Sequence, residues 1–221
     1  VISMTDGRKL TFANPKFLPK LAICDPELTL GLPQQLTAAT GMDAITHCIE
    51  AVLATPVNPP ADGIGLDGLY RGWQYIKRAV EDGSDRTARW EMMMASTEGA
   101  LAFVKGLGAV HSMSHAAGRL KELRLHHGTL NAVILPTVLR FNESTCSETY
   151  RRLRQAMGLP TNADLASEIE QLNADIGLPG SLGEMGLSED LIEDMVPHAV
   201  SDLATMTNPK RVRAEDYVEL Y

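Results

Sequence analysis

GMDAITHCIEA (41–51) and KGLGAVHSMSHAAGRLKELRLHHGTLNA (105–132) are the stretches that decide how this chain is read. In the first, Asp43 and His47 stand four apart. In the second, His111 and His115 repeat that interval, and His126 and His127 come just before Gly128. Residues four apart on an α-helix project from one face. Ile45, Ile49, Val52 and Leu53 recur at helical intervals through the first stretch and supply its apolar side. A carboxylate and several imidazoles converging from separate helices is how a helical bundle builds a divalent-metal site. The spacing therefore predicts a mainly α chain carrying a metal constellation drawn from Asp43, His47, His111, His115 and a histidine of the His126-His127 pair.

A single Asp-x-x-x-His pair is more often a hydrogen-bonded surface pair than a ligand pair. The second i, i+4 pair and the histidines before Gly128 give the metal reading its weight. One carboxylate with imidazoles is a mixed N/O donor set, suited to Fe(II), Zn(II), Co(II) or Ni(II) rather than to Mg or Ca, which want mostly oxygen. Four protein ligands leave a position open on an ion that takes five or six, where a carbonyl or alcohol oxygen can be polarised. Other features read as structural: Met92-Met93-Met94 as helix core, Trp73 and Trp90 as packing residues, and Arg151-Arg152-Leu153-Arg154 as a solvated helix face with Glu143 and Glu148 nearby.

A chain of 221 residues with 44% hydrophobic content can bury a sizeable core. Its formal net charge of −8 argues against nucleic acid or an anionic membrane surface as partner. No apolar run approaches the ~18 residues of a membrane span. Cys24, Cys48 and Cys146 make an odd set with no CxxC pair, as expected of reduced thiols in a cytoplasmic protein.

The opening VISMTDGRKLTF has no initiator Met and no leader, so the chain is expected to begin mid-protein. Val1–Met4 and Lys9–Phe12 read as strands around a Thr5-Asp6-Gly7 turn. Lys20–Cys24 reads as a third apolar run, ended by Asp25-Pro26. Residues 1–30 thus read as a β remnant and linker from another domain, and 31–221 as a helical domain. Helices are expected from about 33 to 53, 61–80, 85–105, 110–123, 128–141, 143–157, 161–175, 187–206 and from 214 onward. Pro136 is expected to kink or split its helix, and the glycine-rich 177–186 to be a loop.

Several motifs resemble those of the iron-containing alcohol dehydrogenases. They are Asp25-Pro26-Glu27-Leu28-Thr29, Thr40-Gly41-Met42-Asp43-Ala44 with Thr46-His47, Gly106-Leu107-Gly108-Ala109-Val110-His111 through His115, His127-Gly128 with Asn131-Ala132, and Thr207-Asn208-Pro209-Lys210. The resemblance implies a two-domain oxidoreductase. An amino-terminal α/β domain would bind NAD or NADP, and a helical domain of the dehydroquinate synthase-like type would hold Fe2+, with Zn2+ as the alternative. It implies Asp43, His47, His111 and His127 as metal ligands and His115 as a proton-transferring residue beside the nicotinamide. It places Lys9 near the cofactor and Leu28 on its nicotinamide side. The glycine after the second histidine selects His127 over His126. A small alcohol or aldehyde substrate and a homo-oligomer are implied as well. The family's phosphate-binding glycine-serine loop is not found in the chain itself. Lys105 replaces a small polar residue of many members and is expected to alter the pocket wall. The rival readings are a glycerol-dehydrogenase-like enzyme with fewer imidazole ligands, a non-catalytic metal-binding module and a metal-dependent hydrolase. The last is disfavoured because Glu50 and Glu122 show no special spacing.

Overall fold

The computed structural model describes residues 2–3, 9–10 and 14–221. Helix α1 (Gln34–Leu53) is the central element, with fourteen buried residues and Pro33 just ahead of its first turn. Helix α2 (Pro59–Glu81) starts where the Asn58 side chain accepts from Ala61 N–H, and α3 (Arg86–Ala102) where Asp85 does the same for Ala88. These three helices pack on one another. A stripe of glycines lets α2 approach closely: a Cβ at Gly65, Gly68 or Gly72 would stand 2.8–2.9 Å from Val52, Cys48 or Ile45 of α1.

Helices α4 (Ala109–Ala117) and α5 (His127–Asn142) form the second layer, with α5 packed on α1 and α4 packed on α5. Beyond them α6 (Ser147–Met157) leans on α2, α7 (Leu165–Asp175) on α5, and α8 (Ile192–Ser201) on α4, while α9 (Ala214–Leu220) closes against α8. One continuous apolar cluster runs through the layers, from Met42 and Ile45 through Met113, Leu135 and Leu139 to Tyr217. No helix among the described residues is long and apolar enough to cross a membrane.

The structure is mainly α, as the periodicity predicts, and it corrects the boundaries. Helix α4 stops at Ala117, not near 123. A 3-10 turn at Lys121–Leu123 and a left-handed Arg124 (φ 48°) then reverse the chain toward α1. The expected helix 187–206 is broken at the extended Asp202, whose side chain caps Ala204 N–H at the start of a 3-10 segment, Leu203–Thr207. Helices α6 and α7 begin later than expected, α7 at its cap Asp164.

Pro136 lies inside α5 without splitting it. A helical proline leaves the carbonyl four residues earlier without its N–H. Here that carbonyl, Ala132, accepts Asn173 Nδ2 at 2.7 Å from α7.

Of the β segment, Ile2–Ser3 (β1) pairs antiparallel with Lys9–Leu10 (β2), Ile2 opposite Leu10. The expected turn residues Thr5, Asp6 and Gly7 lie outside the described residues, as does the Lys9 side chain. Lys20–Cys24 forms no strand. It runs irregularly with Leu21 and Ile23 more than 70% exposed, and no strand among the described residues pairs with it.

Candidate metal centre

The i, i+4 pair of α1 places Asp43 and His47 one turn apart, facing α4 and α5. Helix α4 contributes His111 and, a turn later, His115. His127 is the first residue of α5. These side chains meet. Asp43 Oδ1 is 3.6 Å from His127 Nε2, 3.7 Å from His111 Nε2 and 3.9 Å from His47 Nε2. The donor atoms of Asp43, His111 and His127 lie within 4.8 Å of one another, a set that can hold one ion. His47 stands at its rim, its ring stacked on His111 at 4.6 Å and tilted against Phe103 at 5.3 Å. His115 stacks on His127 at 5.3 Å.

His126 is exposed, and Leu28 is 83% exposed on the 3-10 turn Pro26–Thr29, which packs on α3. Lys105 does not wall the cluster. It turns into the bundle, buried, with Nζ on Val52 O at 3.2 Å and on Asp62, which also holds Arg152. Cys48 faces away from the cluster as well. Its Sγ sits 3.7 Å from Ala95 O, and burial pushes the thiol up to about 12, so it remains protonated.

The local sequence explains the convergence. Gly128 follows His127 because α5 begins in direct contact with α1: a Cβ there would lie 2.2 Å from Ala39 O. Alanine at 128 is therefore expected to push α5 off α1, costing about 1–3 kcal/mol and displacing His127. A lowered melting temperature with weakened metal retention checks this, and an unperturbed Gly128→Ala protein would refute it.

Helix α4 has only Gly108 at its N-cap and no side-chain cap of its own. Glu50, from α1, supplies one. Its carboxylate accepts Val110 N–H at 2.8 Å and His111 N–H at 3.3 Å, and contacts His111 Nδ1 at 2.6 Å. Asn208 Oδ1 accepts the neighbouring Ala109 N–H at 3.1 Å. A negative group at a helix N-terminus is favourable, and this one also fixes the ring of His111.

Burial disfavours the charged form of two of the imidazoles. Burial holds His111 well below its ordinary value, with His47 adding to the effect, and burial lowers His47 too. With Nδ1–H donated to Glu50, His111 presents the Nε2 lone pair to Asp43's oxygen, the form in which imidazole ligates metal. Burial acts to raise the Asp43 carboxyl, while the attraction of whichever imidazole takes up a proton, His47 first, and a hydrogen bond from Asn131 act the other way and hold it below its usual range. Burial pushes Glu50 up to about 7 against the backbone N–H groups that hold its charge. His115 Nδ1 pairs with Asp202 Oδ2 at 2.9 Å, a second carboxylate–imidazole contact.

The roles of three residues in this arrangement were missed in the sequence. Glu50 was read as having no special spacing, yet it lies three residues after His47 and seven after Asp43 on the same helical face and holds His111. Asn131 sits four after His127. Asp202 has no local signal at all, being 87 residues from His115.

A profile of the Fe-containing alcohol dehydrogenase family, C-terminal part, matches residues 37–221. The chain is 55% identical over 224 residues to a protein from Cupriavidus necator named 4-hydroxybutyrate dehydrogenase, covering 98% of this chain and 59% of that one. It is 35% identical to a 1,3-propanediol dehydrogenase of Citrobacter freundii, covering 96% of this chain and 57% of the relative. Among solved structures, an iron-containing alcohol dehydrogenase from Thermococcus thioreducens superposes with a TM-score of 0.85 at 30% identity, over 94% of this chain and 55% of that one. The chain thus spans just over half the length of these relatives. With the site's geometry and these likenesses together, the chain belongs to the Fe-containing alcohol dehydrogenase family, as part of its C-terminal, helical half.

Proposed function

We propose that Asp43, His47, His111 and His127 bind one divalent ion, Fe(II) with Zn(II) as the alternative, and that the chain is the metal-binding half of an NAD(P)-linked alcohol dehydrogenase. The observation that carries this is the approach of three imidazole Nε2 atoms to a single carboxylate oxygen, all between 3.6 and 3.9 Å. The donor set fits such an ion, because neutral imidazoles and an ionised carboxylate are what a borderline cation requires. An ion bound there supplies Lewis acidity toward an alcohol or carbonyl oxygen.

The chain's own groups supply the rest. Glu50 holds His111 in one tautomer. Asp202 accepts from Nδ1 of His115, leaving Nε2 to take and return the alcohol proton, with His115 acting as the relay. Phe103, packed on His47, covers that side of the cluster. Lys9 and Leu28 are assigned to the nicotinamide cofactor, which a preceding dinucleotide-binding domain would hold, with residues 1–30 as remnant and linker and 31–221 as the catalytic helical domain. The enzyme is taken to be cytoplasmic and homo-oligomeric.

The 55% identity to a protein named 4-hydroxybutyrate dehydrogenase favours a short hydroxy acid over a simple alcohol as substrate. The full-length protein, loaded separately with Fe(II) and Zn(II), should oxidise 4-hydroxybutyrate faster than ethanol or 1,3-propanediol with NAD+ or NADP+. No bound metal, together with no turnover of any alcohol, would defeat the reading.

A glycerol-dehydrogenase-like site is favoured by one observation: the tightest set is Asp43, His111 and His127, without His47. Three protein ligands with an open fourth position is the arrangement of catalytic zinc.

A further inference from the structure

We propose that Asn131 is a positioning residue of the metal centre, its carboxamide N–H setting the rotation of the Asp43 carboxylate so that Oδ1 faces the imidazoles. This rests on the metal-site reading above. Asn131 is fully buried on α5, one turn past His127. Its Nδ2 lies 2.6 Å from Asp43 Oδ1, 3.3 Å from His111 Nε2 and 3.2 Å from His127 Nε2.

Its other end, Oδ1, is buried and has no donor among the described residues. Turning the amide over would aim that oxygen at a carboxylate and two imidazole lone pairs, so repulsion from the cluster fixes the orientation even though Oδ1 goes unsatisfied. The amide is thus held by the ligands and not by its other surroundings. Conversely, the ligands are held by it. Asp43 is about one-quarter exposed and accepts this amide bond on the same oxygen that faces the imidazoles. Groups that hold a ligating carboxylate tune metal affinity about 10–100-fold.

The test uses the full-length protein with zinc affinity read by chelator competition, the visible spectrum of the Co(II)-substituted protein, and circular dichroism as a folding control. Asn131→Ser removes the amide and can bond its hydroxyl to its own helix. Asn131→Asp keeps the shape but replaces the donor with an acceptor, and it carries the test should the serine variant lose helix. Both are expected to bind Zn(II) 10–100-fold more weakly, with altered Co(II) bands and undiminished helix. Wild-type affinity and spectrum in either folded variant would overturn the proposal, as would tighter binding by Asn131→Asp, which would make the side chain a ligand. Failure of the wild type itself to bind metal would instead sink the metal-site reading, and this inference with it.

Discussion

Asp43→Ala is expected to strip the protein of tightly held metal and to end turnover. Asp43 Oδ1 lies within 4 Å of Nε2 on each of His47, His111 and His127. Removing it leaves neutral imidazoles with no charge to offset a dication. Four-ligand structural zinc sites contribute ~10–16 kcal/mol, or about 3 kcal/mol per ligand, so the loss should reach at least about a hundredfold in affinity.

His47→Ala should lose less, because His47 is outside the tight Asp43–His111–His127 set. Metal analysis and chelator titration of the two variants side by side measure the gradient. Metal retained by Asp43→Ala would remove the carboxylate from the centre of the site. Equal losses from both variants would make His47 a full ligand and dispose of the three-ligand reading.

The second large effect is expected at Glu50, and there two substitutions separate fold from site. In Glu50→Ala, the N–H groups of Val110 and His111 and the Nδ1 of His111 lose their acceptor inside the bundle. Breaking a buried charged interaction by removing one partner costs about 3–5 kcal/mol, which for a chain of this size lowers the melting temperature by roughly 6–20 °C. Glu50→Gln keeps the shape and an oxygen for the helix N-terminus. If its amide NH2 faces His111, Nδ1 must turn acceptor and the proton must move to Nε2, the nitrogen that faces Asp43.

The glutamine variant should therefore fold and melt nearer the wild type while binding metal about 10–100-fold more weakly. A glutamine variant with unchanged affinity would reduce Glu50 to a helix cap. One that melts as low as the alanine variant would show that its charge is structural.

Both predictions come from residues whose sequence signals differ in kind. Asp43 and His47 were legible because one helix carries both, and an interval of four on a helix is already a statement about space. The same holds for His111 with His115. Glu50 has an equally local signal, on the same face of α1, yet it reads as an unremarkable acid. Its importance comes from α4, whose bare N-terminus at Gly108 lies against it. Lys105 misled in the opposite direction. A charged residue beside Gly106-Leu107-Gly108 suggests a pocket wall, but Asp62 and Val52 O, each more than forty residues away, draw it inward.

Helix boundaries followed the same division. At Asp85, where the cap lies beside the helix it starts, the start follows from the sequence; α7 has such a cap in Asp164, yet its start was expected at 161. Where a distant group decides, the course of a helix does not follow from the sequence. Pro136 was expected to kink or split α5; the helix continues through it, and Asn173 of α7 takes up the carbonyl that the proline leaves free. The strand-like run at Lys20–Cys24 has the right residues for a strand and no partner strand among the described residues.

By itself, then, the sequence determined the mainly α class, the principal helices, the family and the candidate metal-binding residues, because helical period, glycine placement and i, i+4 pairs act over a few residues. Only the tertiary structure decided that Glu50, Asn131 and Asp202 surround those ligands, and that His47 stands at the rim. Those contacts join residues 61, 88 and 87 positions apart in the case of His111 with Glu50, Asn131 with Asp43 and His115 with Asp202. Such pairings are set by how whole helices dock, and docking is governed by the shape of buried surfaces, which no local pattern encodes.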